Sequence, residues 1–314
     1  MIKAPTVFIL GAGASKPYGY PLGFDLRVSI CRDFVSTLER AQKEGAITDR
    51  QLISEAERFC DIFRNSNTPS IDLFLSRNVR FADIGKYSIV LNMLYAEKTS
   101  GFGIDVDPAE DWYSYLFEQM TDDLIEPSSF GRFGDNEVHF ITFNYDRSLE
   151  HFLFQSLRHS FYDAADEDIE EQVKKIRIDH VYGAVAPLPW QGNGRGYGRE
   201  YSWDDIVDLA KNIQLMHQER KTAEVTEVIR DASKIFFLGF GYHRENLQIL
   251  GIGTENYGHK EIFGTGMGLS ANKINEITLL LRSAFTITIP NSNTLFSDPS
   301  IDKCGCRELL SERL

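Results

Sequence analysis

A chain of 314 residues with 42% hydrophobic content can bury a full core, so a folded protein is expected rather than a disordered one. The 33 Lys and Arg against 46 Asp and Glu leave a net charge of -13, which opposes attraction to phosphate backbones and anionic lipid and argues against direct nucleic-acid binding. The four cysteines, Cys31, Cys60, Cys304 and Cys306, form no C-x-x-C pair, so a tetrahedral zinc module is excluded and the thiols read as reduced, as in a cytoplasmic protein.

The first element is a strand at about Val7 to Leu10. Its apolar core is too short for a signal peptide, and no apolar stretch of the chain reaches bilayer-spanning length, so no membrane association is expected. The strand runs straight into Gly11-Ala12-Gly13-Ala14-Ser15. Glycines 11 and 13 permit close backbone approach to a pyrophosphate, with amides near the following helix start facing the charge; a tight turn with no ligand uses the same residues. An ordinary dinucleotide-binding dehydrogenase needs a third glycine, which Ala14-Ser15-Lys16 lacks, and an acidic residue at the end of a prompt second strand. Instead, residues from about 24–136 read as successive amphipathic helices, at Leu26 to Arg40, Asp49 to Asn65, Ile84 to Lys98 and Asp111 to Ile125. This helical insertion lies either near the ligand-binding end of the sheet or simply over one of its faces.

A second strand, Val138 to Phe143, ends in Asn144-Tyr145-Asp146. Asn144 can orient a ribose hydroxyl or a water but is no strong base, and Asn or Asp here also suits a helix cap before Arg147. The acidic run Asp163 to Glu171 reads as solvated surface or a mobile excursion. The third strand, Ile176 to Tyr182, carries His180, a side chain suited to accepting a proton near neutral pH. Strand alternation turns Asp179 away and puts His180 and Tyr182 on one face, so either can enter a pocket; His180 is favoured as general base and Tyr182 as pocket wall. The glycine-rich Gln191 to Gly198 is a lid or a flexible connector. A fourth strand, Ile235 to Leu238, enters Gly239-Phe240-Gly241, with Asn246 further on to reach a ribose or adenine edge. Phe263 to Leu269 forms another glycine turn before a helix at Ser270 to Ser283, and a last strand is placed at Phe285 to Ile289. Short apolar strands alternating with helices predict an α/β class, a Rossmann-like parallel sheet flanked by helices, as one domain over residues 1–314.

The string Gly11-Ala12-Gly13-Ala14-Ser15, with Gly19 and Pro21 following, resembles the first motif of the sirtuin-like (silent-information-regulator-two-like) family. Thr142-Phe143-Asn144-Tyr145-Asp146 resembles its T-x-N-x-D motif, His180-Val181-Tyr182-Gly183 is similar to its H-G motif with Tyr182 where the family has His, and Gly239-Phe240-Gly241 resembles its late G-x-G segment. The resemblance implies an NAD-binding site without metal, built from Gly11, Ala12, Gly13, Ser15, Pro21, Thr142, Tyr182, Gly239, Gly241 and Asn246. In the family the Asn holds the nicotinamide ribose and the attacking water, the Asp contacts the carboxamide and the His is the base, roles that fall to Asn144, Asp146 and His180. Without a zinc module, and with an all-helical insertion, the chain is most similar to bacterial antiviral-defence NAD hydrolases, which cleave NAD to nicotinamide and ADP-ribose. That likeness implies regulation by a protein partner or by homo-oligomer assembly. A non-enzymatic sensor of NAD or ADP-ribose is the alternative, and an NAD-dependent protein deacylase a further one.

Overall fold

The computed structural model describes residues 1–215, 222–285 and 298–314. Six parallel strands form one sheet: β1 (Thr6–Leu10), β2 (Val138–Thr142), β3 (Arg177–His180), β4 (Lys234–Leu238), β5 (Glu261–Thr265) and β6 (Ser300–Asp302). Their order is β3-β2-β1-β4-β5-β6, the doubly wound Rossmann arrangement, with helices covering the sheet. The chain builds outward from β1 to β3 and then returns to lay β4 against the other side of β1. That reversal opens a crevice above the carboxyl ends of β1 and β4, where open α/β sheets bind ligands.

Parallel strands are buried on both faces, and β1 is buried at all five residues. In register across four strands lie Phe140, Phe8, Phe236 and Phe263. Their rings follow one another at 5.0, 5.4 and 5.2 Å between centroids. Each such pair contributes about 0.5–1.5 kcal/mol beyond its area burial, so one face of the sheet is fastened by a continuous aromatic row.

The inserted helices, Gly23–Lys43, Arg50–Asn65, Ile71–Arg77, Ala82–Thr99 and Trp112–Thr121, occupy the crossover between β1 and β2. Local chemistry sets their starts: Asp49 accepts from the Gln51 amide, Ser70 from Leu73 and Asp111 from Ser114. Phe34, Phe59, Phe63, Phe74 and Phe81 pack among themselves as the core of this region. The insertion is also tied to the first glycine turn, since the Trp112 indole donates to the Ala14 carbonyl at 2.7 Å.

Several sequence expectations need correction. β2 stops at Thr142 and β3 at His180, each short of its expected end. The segment Phe263 to Leu269, read as a turn, has its first residues in β5, and β6 was not anticipated. Of the last expected strand, Phe285 closes the helix Ala271–Phe285, and residues 286–289 lie outside the described residues. The acidic run enters a helix, Asp166–Lys175, because Ile169 and Val173 bury one side while acids in its first turn and lysines in its last complement the helix dipole.

The glycine-rich loop is neither lid nor free connector. Arg147, 1% exposed, places all five guanidinium protons: two on the Glu97 carboxylate (2.7 and 3.0 Å) and the rest on the carbonyls of Pro187, Arg195 and Gly196. Glu97 also accepts the Gly198 amide at 3.0 Å. Tyr197 stacks on His151 at 3.8 Å and bonds Tyr20 and Ser100. A buried ion pair thus laces this loop to the inserted helix Ala82–Thr99 and to the turn after β2.

Candidate functional site

A cavity of about 630 Å³ opens at the sheet's reversal point. Pockets of this size hold molecules as large as a dinucleotide. The segments after all six strands line it: Gly11 to Gly13 after β1, Phe143 and Asn144 after β2, Tyr182 after β3, Gly239 to Gly241 and, in the helix that follows, Asn246 after β4, Met267 to Leu269 after β5, and Cys304 to Cys306 after β6, while Thr265 joins from the end of β5. The insertion closes the remaining side with Leu22, Gly23, Pro69, Ser70, Asp72, Leu73, Ala109 and Glu110, so it is part of the site and more than a cover for the sheet.

The glycines are required by one another. Gly11 donates to the Leu238 carbonyl and Gly13 to that of Gly239, both at 3.0 Å. A Cβ on Gly11 would stand 2.6 Å from the Gly239 oxygen, and one on Gly239 (φ +55) would stand 2.0 Å from the Ala14 nitrogen. The turns after β1 and β4 therefore interlock backbone against backbone. With the Gly11, Gly13 and Ala14 amides spent on protein carbonyls, the ammonium of Lys16, which has no ion-pair partner among the described residues, is the strongest anion attractant in that wall.

Asn144, 8% exposed, joins the first two motifs. Its backbone amide donates to Thr142 Oγ1 at 3.1 Å, and its side-chain Nδ2 donates to the Gly11 carbonyl at 3.0 Å and Ser15 Oγ at 3.1 Å. A carbonyl can only accept, which fixes the nitrogen toward Gly11 and leaves the side-chain oxygen as the free end of an amide at the cavity wall. Thr142 and Ser15 do not line the cavity; they hold Asn144. Pro21 does not line it either, although Leu22 and Gly23 beside it do.

His180 is not among the residues lining the cavity. Its Nδ1 faces the Asn144 carbonyl at 3.0 Å and its Nε2 faces Glu150 Oε1 at 2.6 Å. The Asn144 carbonyl can only accept, so Nδ1 carries a proton, and Nε2 is engaged by the Glu150 carboxyl. Burial alone lowers this group, but the Glu150 carboxylate and the Asn144 carbonyl outweigh it and hold the ring above its ordinary value. With both ring nitrogens engaged by the protein and the ring outside the cavity lining, His180 is placed to clamp the Asn144 backbone. Asp179 points the other way, to His139 at 2.7 Å.

Asp146 is also withheld from the cavity. It accepts from the Ser148 amide at 3.1 Å and from the Ser148 hydroxyl, the start of helix Ser148–Ser160, and burial raises its carboxyl. Tyr182 does reach the cavity, and its hydroxyl donates to Asn246 Oδ1 at 2.7 Å, bridging the loops after β3 and β4.

Sequence reasoning passed over five residues of the cavity wall as contributors. Asp72 sits one residue inside the helix that Ser70 caps, a start signal that marks the helix but not its acid. His243 ends the turn after β4 and Glu245 lies in the helix Arg244–Ile249 that follows, where only Asn246 attracted notice. Cys304 and Cys306 are free thiols that burial pushes up to about 11 and about 12, too high for ready nucleophiles. No group of three or more potential metal ligands occurs among the described residues, and no helix among them is long and apolar enough to cross a membrane. In comparisons with known proteins, no family model and no curated protein matches the chain.

Proposed function

We propose that the chain is an NAD hydrolase that cleaves the nicotinamide–ribose bond to give nicotinamide and ADP-ribose, and that it serves as a cytoplasmic effector of antiphage defence, held silent by a partner protein or by its assembly state until triggered. The observation that carries this reading is the fixed amide of Asn144, bonded to Gly11 and Ser15 at the wall of a dinucleotide-sized cavity at the sheet's reversal point. Such a cavity supports binding of the dinucleotide across the interlocked glycine turns, with its pyrophosphate toward Lys16. Asn144 then steadies the ribose and the water, and the His180–Glu150 pair keeps Asn144 in place.

A second reading, a sensor that binds NAD or ADP-ribose without turnover, draws support from Tyr182 standing in the cavity while His180 is engaged behind it. One experiment separates the two. Purified protein is incubated with NAD, nicotinamide and ADP-ribose are followed, and NAD binding is measured by calorimetry beside Asn144→Ala. Turnover lost in the variant with binding kept supports the hydrolase. Binding without turnover both at dilutions that dissociate assemblies and at concentrations that favour them supports the sensor, and absence of both binding and turnover refutes the NAD reading.

A further inference from the structure

If NAD is cleaved here, the cavity needs a proton acceptor, and His180 lies outside its lining with both ring nitrogens engaged by the protein. Other titratable groups at the wall are poorly placed. Glu110, Glu308 and His243 are exposed, Glu245 is half-buried but has no described hydrogen bond to the Asn144 segment, the two thiols are held high, and Tyr182 already donates to Asn246.

Asp72 differs. The insertion carries it into the wall, half-buried, between Ser70 and Leu73, which line the same cavity. Its Oδ1 accepts the hydroxyl proton of Tyr145, the residue directly after Asn144. Tyr145 in turn lies 6.4 Å from Tyr182, ring to ring. The carboxylate is therefore wired to the segment that carries the ribose-steadying amide. Burial raises it, while the Tyr145 hydroxyl and the facing His243 oppose that rise, so it exchanges its proton nearer neutrality than an ordinary aspartate.

We infer that Asp72 is the catalytic carboxylate of this cavity, the group that takes a proton from the water attacking C1′ of the nicotinamide ribose. The inference rests on the NAD-cleaving reading. In the step, the bond between C1′ and the nicotinamide nitrogen breaks and its electron pair neutralises the pyridinium. Water oxygen bonds to C1′, one water proton passes to Asp72, and Asp72 later releases it to solvent. A carboxylate at this place also favours the positive charge that C1′ develops in an oxocarbenium-like transition state. The helical insertion is thereby a component of the catalytic machinery.

The test compares wild type with Asp72→Asn, Asp72→Ala and His243→Gln, reading nicotinamide release and, separately, ADP-ribose binding by calorimetry, which also reports that each variant folds. Asp72→Asn is expected to release nicotinamide about 10²–10⁴-fold more slowly with the binding constant little changed. Added formate is expected to restore part of the turnover of Asp72→Ala, and Asp72→Glu to retain more than Asp72→Asn. Turnover within about threefold of wild type in Asp72→Asn, or loss in His243→Gln instead, overturns the assignment while leaving the hydrolase reading intact. A wild type that binds NAD and releases nothing, whether dilute and dissociated or concentrated and assembled, overturns both.

Discussion

Replacing Arg147 by leucine removes a guanidinium whose five protons are all placed and leaves the Glu97 carboxylate, 0% exposed at its side chain, with the Gly198 amide as its remaining described donor. Removing one partner of a buried pair costs about 3–5 kcal/mol, because the surviving charge cannot regain water. With an unfolding entropy of roughly 2.1 cal/mol/K per residue over 314 residues, that loss lowers Tm by about 5–8 °C. Scanning calorimetry measures the shift, and limited proteolysis reads whether residues 187–198 have come loose. Leucine at both 147 and 97 removes the stranded charge, so the double variant is expected to recover part of the loss. A single variant melting within about 1 °C of wild type, or a double variant no better than the single, refutes the reasoning.

Four further outcomes follow from the same structure. Gly239→Ala forces a Cβ against the backbone of Gly13 and Ala14 at a left-handed φ, so its urea midpoint should fall by an amount corresponding to about 2–4 kcal/mol, well beyond a surface Gly→Ala change. Because His180 has its pKa raised on folding, the stability it contributes is fully present below its unfolded value of about 6.5 and is lost as pH rises through the folded one; Glu150→Gln should flatten that alkaline-side decline in Tm against pH. His151 has the opposite sign: burial and then Arg147 hold it down to about 4, so its contribution is present above its unfolded value and lost as pH falls toward 4, which a proton titration by NMR would show directly. Lys16→Ala should weaken NAD binding about tenfold with little change in the rate from saturated protein; an unchanged KM would detach Lys16 from the pyrophosphate.

Much of this fold is legible in the sequence where one signal dominates. β1 and β4 carry continuous apolar runs and β2 one interrupted only by His139, each breaking into a polar or glycine turn, and nothing competes with that pattern. β5 is harder because Gly264 sits inside it, a residue that reads as a turn but is there because a Cβ would stand 2.2 Å from the Tyr242 hydroxyl. β6, three residues at the sheet edge, offers no periodicity to find. For the site, alternation along a strand misassigned residues 180 and 182. β3 stops at His180 and Gly183 turns the chain at φ +70, so the two-residue period does not extend to Tyr182. Asp72 was invisible for a different reason: only tertiary packing brings a helix of the insertion to the Asn144 turn.

The position of the insertion has a consequence for how the chain comes to be folded at all. β1 finds its partners about 130 residues downstream in β2 and about 230 downstream in β4, because Thr6 pairs with both Val138 and Lys234. At ordinary elongation rates the ribosome needs on the order of ten seconds to supply even the nearer one. Throughout that interval four apolar residues, Val7 to Leu10, wait with open edges on both sides. Meanwhile the helices of the insertion, which contact one another locally, can assemble first. They are synthesised between the waiting strand and its partner, and Trp112 can shelter the glycine turn beside β1 as soon as it emerges.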